Sequence, residues 1–102
     1  MKFKFTLQKV LEHRKVLENI VQKTFQDAVG VLTDLQNKLS EMESQSDDAR
    51  VRAFTLQSEG GNAGASLSQI NDFLKNHKVL MQMQFSKIQA QEKVVEEKSD
   101  LL

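Results

Sequence analysis

The chain has 102 residues, 14 basic against 14 acidic, only four glycines, and no cysteine, proline, tryptophan or tyrosine. A formal net charge of zero gives no electrostatic case for nucleic-acid binding, and zero cysteine excludes disulfides and thiol chemistry. No apolar run approaches the ~18 residues of a membrane span, and the opening Met1-Lys2-Phe3-Lys4-Phe5 lacks an apolar signal core. One domain is expected at this length. A composition dominated by Gln, Lys, Glu, Leu and Val, without proline to break it, suits long uninterrupted helices.

Thr6 is a candidate cap for a first helix over about 6–58. Positions at alternating spacings of four and three form one seam along it: Leu7, Leu11, Arg14, Glu18, Val21, Phe25, Ala28, Leu32, Leu35, Leu39, Met42, Ser46, Ala49, Ala53 and Leu56. All but Arg14, Glu18 and Ser46 are apolar, and the register never slips. That is a coiled-coil seam rather than a loose amphipathic pattern. At ~1.5 Å per residue such a helix runs roughly 75–80 Å, a length only another long helix can cover. Gly30, alone within the pattern, reads as tolerated.

Glu59-Gly60-Gly61-Asn62-Ala63-Gly64-Ala65 is the one loop-like stretch and is expected to be a hinge over 59–65. It follows a helix and lacks a Gly-Lys-Ser/Thr ending, so it does not read as a phosphate loop. Ser66 and Gln69 have capping-box spacing and predict a second helix over about 66–102. In that helix one heptad row is wholly apolar (Leu67, Leu74, Met81, Ile88, Val95, Leu102), while the other turns polar after Ile70 (His77, Gln84, Gln91, Lys98). Folding at the glycines pairs the two seams at a constant index sum of 123, from Leu56 with Leu67 to Val21 with Leu102. Ser46 and His77 then share one layer, a polar layer of the kind that pins register. The predicted fold class is therefore all-α, an antiparallel two-helix coiled-coil hairpin spanning 1–102.

The pairing leaves Met1–Ile20 bare, although this stretch carries Leu7, Val10, Leu11, Val16, Leu17 and Ile20. Two expectations follow: either the second helix continues in a longer parent chain, of which this is a C-terminally shortened piece, or the bare stretch forms a homodimer. Beside the second seam runs the row Phe73, Leu80, Lys87, Val94, Leu101. Val94 is set to meet Val31, and Leu101 to meet Thr24. Phe73 and Leu80 face Arg52 and Gln45 and, with Met83, form an apolar strip without an apolar partner, the pattern of a contact surface.

No catalytic constellation is visible. His13 and His77 lie on different helices, and no cluster suits a metal or a cofactor. Lys2, Lys4, Lys9, Arg14 and Lys15 make the start basic, equally a solvated helix end or a contact for a partner or lipid. Glu41, Glu43, Asp47 and Asp48 read as a solvated face.

The start Phe3-x-Phe5-x-Leu7-Gln8-Lys9-Val10-Leu11-x-x-Arg14 and the second landmark Gly64-Ala65-Ser66-Leu67-Ser68-Gln69, followed by Phe73, resemble the FliJ family of the flagellar type III export apparatus. The resemblance spans the whole chain. It implies a cytoplasmic, non-enzymatic protein peripheral to the inner-membrane export machinery, with a fold similar to the central gamma stalk of rotary ATPases. The implied partners are the export ATPase ring, the cytoplasmic domain of the export gate and export chaperones, without nucleic acid or cofactor. By the same resemblance, Phe73, Asn76, Leu80 and Met83 would contact the gate, Asn76 standing where an aromatic is common. Phe5, Leu7, Leu11 and Arg14 would lie toward the ATPase. The alternatives are the injectisome counterpart of the stalk, or a structural scaffold that oligomerises through its N-terminal seam.

Overall fold

A computed structural model describes residues 2–61 and 63–102, with side chains except at positions 2, 3 and 5. It contains two helices, α1 (Lys2–Glu59) and α2 (Gly64–Asp100), and the fold is an antiparallel α-helical hairpin. The chain divides into two compact units: residues 34–89, which include the turn, and residues 1–33 with 90–102.

The turn is tighter than the glycine-rich stretch suggests. Gly60 (φ 72°) and Gly61 (φ 80°) take the left-handed conformation that ends α1 without a Cβ penalty. The helix α2 then starts at Gly64, two residues before the expected cap. The Leu67 amide donates to the Ala63 carbonyl at 2.8 Å, so Ala63 supplies the first carbonyl of α2 and Ser66 sits inside the first turn instead of capping it. At the other end α1 begins at Lys2, ahead of Thr6. Asn62 of the expected hinge lies outside the described residues.

Within the unit of residues 34–89 the predicted seam is the core. Met42, Ser46, His77, Gln84 and Ile88 are buried, and Leu35, Leu39, Ala49, Ala53, Leu56, Leu67, Ile70, Leu74 and Met81 are half-buried. Within the unit of residues 1–33 and 90–102, Ala28 is buried and Val21, Phe25, Leu32, Gln91, Val94, Val95 and Lys98 are half-buried. Val31 stays 48% exposed, so the widening expected opposite Val94 is one-sided.

The polar row of α2 is satisfied in a regular way. His77 Nε2 donates to the Met42 carbonyl at 2.8 Å and Gln84 Nε2 to the Leu35 carbonyl at 3.0 Å. In the other unit, Gln91 Nε2 donates to the Ala28 carbonyl at 2.9 Å. Each acceptor lies four residues before the seam partner of its donor. A helical carbonyl points one turn onward, toward the amide four residues later, so the Met42 oxygen lies in the layer of Ser46. The same geometry puts the Leu35 oxygen in the layer of Leu39 and the Ala28 oxygen in that of Leu32. A carbonyl only accepts, so His77 carries its proton on Nε2. Ser46 and His77 share a layer as expected but do not bond to each other: the Ser46 hydroxyl donates instead to Met81 Sδ at 3.5 Å. Among the described residues no buried side-chain nitrogen or oxygen lacks a partner.

Surface charge adds little. Lys38–Glu41 (3.8 Å) and Arg50–Asp47 (3.1 Å) are exposed pairs within α1, a class that contributes at most about 1 kcal/mol.

Two stability outcomes are expected. Gly30 is exposed, helical and has nothing within 4 Å of an added Cβ, so Gly30→Ala should raise unfolding free energy by about 0.5–1 kcal/mol in urea titration. His77→Ala removes a buried, bonded ring and should cost about 2 kcal/mol. A loss below about 0.5 kcal/mol would mean that the bond to Met42 contributes little to the seam.

Candidate interaction faces

The chemistry available to this fold lies on its surface. Among the described residues no group of three or more His, Cys, Asp or Glu could hold a metal ion. No described helix is long and apolar enough to cross a membrane. His13 is exposed and His77 is committed to the seam.

The first face belongs to α2 in the unit of residues 34–89. Phe73, Asn76, Leu80 and Met83 follow spacings of three, four and three, which place them along one side of a helix. Phe73 is 42% exposed, Leu80 52% and Met83 55%, and Asn76 is exposed. Phe73 is anchored by stacking on His77, with ring centroids 4.8 Å apart and planes at 21°. It also lines an open cleft of about 340 Å³ with Ala49, Arg52, Gln69 and Ile70. Phe73 and Arg52, set on facing flanks by the seam register, border the same cleft. Leu80 and Met83 continue the strip into solvent. From Phe73 to Met83 it runs about 15 Å along α2.

The second face lies on α1 in the other unit. Leu7 (50%), Val10 (44%), Leu11 (56%), Leu17 (48%) and Ile20 (55%) are all exposed, and so is Arg14. The Phe5 side chain, expected beside them, lies outside the described side chains. This face prolongs the seam beyond the point where α2 has ended. At the junction, Leu17, Val21, Phe25, Leu101 and Leu102 border an open cleft of about 620 Å³. Val21 and Leu102 thus lie at the same cleft, as their predicted layer demands, while Leu101 and Leu102 remain 64% exposed.

Four other exposed apolar residues lie outside the seam rows and the two faces: Phe85 (52%), Phe54 (70%), Val51 (64%) and Val79 (55%). Phe85 could have been found. It falls in the heptad row of Asn71 and Lys78, the flank of the seam opposite Phe73, and its row holds a single aromatic between polar residues. Phe54, Val51 and Val79 point away from the seam rows and carry no periodic signal.

Two helices joined along a hydrogen-bonded seam, with ordered apolar side chains left outside it, define an antiparallel α-helical hairpin. The family model described as Flagellar FliJ protein matches residues 3–102, nearly the whole chain, and the chain belongs to the FliJ family. Membership gives it a role in flagellar protein export. No curated protein and no solved structure matches the chain.

Because Phe73 and Leu80 each keep about half of their surface in solvent, Phe73→Ala with Leu80→Ala should leave helicity intact and cost about 1–3 kcal/mol. Circular dichroism during urea unfolding measures this. A larger loss would place both residues among those that hold the hairpin together.

Proposed function

We propose that this chain is a non-catalytic, cytoplasmic coupling component of the flagellar export apparatus, linking the export ATPase ring to the cytoplasmic domain of the export gate and binding export chaperones. The observation that carries the reading is the exposed strip of Phe73, Leu80 and Met83, with Asn76 between them. An anchored aromatic followed by a leucine and a methionine is the composition of a protein-contact patch. On this reading the strip meets the gate. Leu7, Leu11 and Arg14, with Phe5, meet the ATPase ring, where the chain would act as a stalk similar to the gamma subunit of rotary ATPases. The two faces belong to different units of the chain, which supports separate partners. The flagellar family match supports the flagellar system over its injectisome counterpart.

The deciding measurement is affinity for the isolated cytoplasmic domain of the gate. Phe73→Ala/Leu80→Ala should weaken it about tenfold or more, a loss near 1.4 kcal/mol per decade. Leu7→Ser/Leu11→Ser should leave gate affinity intact and weaken binding to the ATPase. Unchanged gate affinity in the first variant would reject the assignment of that strip.

The exposed Leu7–Ile20 face favours a second reading, self-association of the chain through α1. Sedimentation velocity should then show a dimer that Leu7→Ser/Leu11→Ser converts to monomer. A monomer at every concentration tested would reject it.

A further inference from the structure

The hairpin has a second flank in the unit of residues 34–89, on the side of the seam away from Phe73. There an open groove of about 760 Å³ runs between the two helices. From α2 it is bordered by Leu74, Lys78, Met81 and Phe85, at spacings of four, three and four. Leu39, Glu43, Ser46 and Arg50 border it from α1 at the same spacings. Two parallel-running borders with heptad spacing are what a third helix meets when it packs onto a coiled-coil pair. Leu39, Leu74 and Met81 form a half-buried floor, and Phe85 stands 52% exposed above it.

The rim chooses the occupant. Lys75 and Lys78 border the groove, are exposed and take part in no ion pair. Arg50 is already held by Asp47 at 3.1 Å. Glu43 is the one acid among the lining residues, and between Asn71 and Ser86 the only acid of α2 is Asp72, which does not line the groove. The α2 border therefore has an apolar stripe beside uncompensated ammonium groups. A helix that buried its apolar face here would bring its flanking positions against those lysines, where carboxylates are favoured and cations are repelled.

We propose that this groove binds a third helix, supplied by a partner protein as an acidic amphipathic segment of about four turns, the ~22 Å between Asn71 and Ser86. Its apolar stripe covers Leu74, Met81 and Phe85, and its glutamates or aspartates pair with Lys75 and Lys78. The proposal is independent of the export reading, since it uses neither the Phe73 strip nor the Leu7–Ile20 face.

The test uses the whole chain and two fluorescent helical peptides of about 15 residues. Both carry leucine at the heptad seam positions; one has glutamate and the other lysine at the flanking positions. The acidic peptide should bind at least about tenfold tighter than the basic one. Phe85→Ser should weaken the acidic peptide by a similar factor. Lys75→Glu/Lys78→Glu should reverse the preference between peptides. Carbodiimide cross-linking of the acidic peptide to the unmodified protein should join it at Lys75 and Lys78, which decides the matter even if the charge-reversed variant lost helicity. Equal affinity for both peptides would overturn the proposal, as would cross-links elsewhere. Loss of peptide binding in Leu7→Ser/Leu11→Ser would move the peptide to the other face and equally overturn it. So would dimerisation of the free protein that Phe85→Ser abolishes, or binding of phosphatidylglycerol vesicles but not of the acidic peptide.

Discussion

The structure depends on a seam that is one side chain deep. Two helices alone cannot enclose a residue on all sides, and among the described residues no side chain falls below 2% exposure. Among the described residues only Ala28, Met42, Ile88, Ser46, His77 and Gln84 are buried, and half of these are polar. The stabilisation from apolar burial is thus small per residue, and every buried polar group must find a partner. The chain meets the second requirement with one repeated arrangement. A side chain from α2 reaches the carbonyl that the facing turn of α1 directs into the same layer, at His77, Gln84 and Gln91. Because that carbonyl keeps its helical bond and offers its second lone pair, α1 is not broken to satisfy α2.

This arrangement also bears on register. An apolar seam of Leu, Met and Val accepts neighbouring registers at modest cost, because such side chains pack without directional demands. A glutamine or histidine in the seam is different. Sliding the helices takes its donor away from the acceptor carbonyl, and a donor that stays buried without a partner costs roughly 1–3 kcal/mol. The bonded row therefore selects one alignment, and the left-handed pair Gly60–Gly61 fixes where the chain reverses. The seam residues and the turn agree on that alignment, a consistency of the kind that marks a foldable sequence.

Much of this was legible in the sequence because heptad periodicity is strong and proline is absent. The rows from Val21 to Leu56 and from Leu67 to Lys98 are buried or half-buried throughout, with Thr24, Val29, Ala63 and Val94 half-buried beside them, and the glycines mark the reversal. What the sequence hid was local or lateral. Ser66 and Gln69 have the spacing of a capping box, but glycine at 64 is free to enter the helix early and Ala63 supplies the first carbonyl. Ser46 and His77 were legible as a layer, yet the layer says nothing about backbone acceptors, and the imidazole prefers the Met42 carbonyl to a hydroxyl. Of the candidate faces, the Phe73 strip and the bare Leu7–Ile20 seam were legible as apolar positions without an apolar partner in the seam register. Phe85 was not, because it depends on which side of a two-helix seam is left open.

Exposure alone does not identify a binding face in such a fold. A hairpin has so much surface for its volume that isolated apolar residues such as Val51 or Val79 need no explanation. Order is the discriminating property. Leu7, Leu11, Leu17 and Ile20 extend the heptad rows or their flanks and stay exposed, Leu17 at the cleft it shares with Leu101 and Leu102. Most helical stability in proteins comes from packing an amphipathic face rather than from propensity. This part of α1 therefore draws less from its own unit than the residues under α2 do. Whatever covers it adds to the stability of the helix as well as to the assembly, because a ligand that binds only the folded form shifts folding by mass action. A partner that packed on these residues would therefore couple its own binding to the folding of this part of α1.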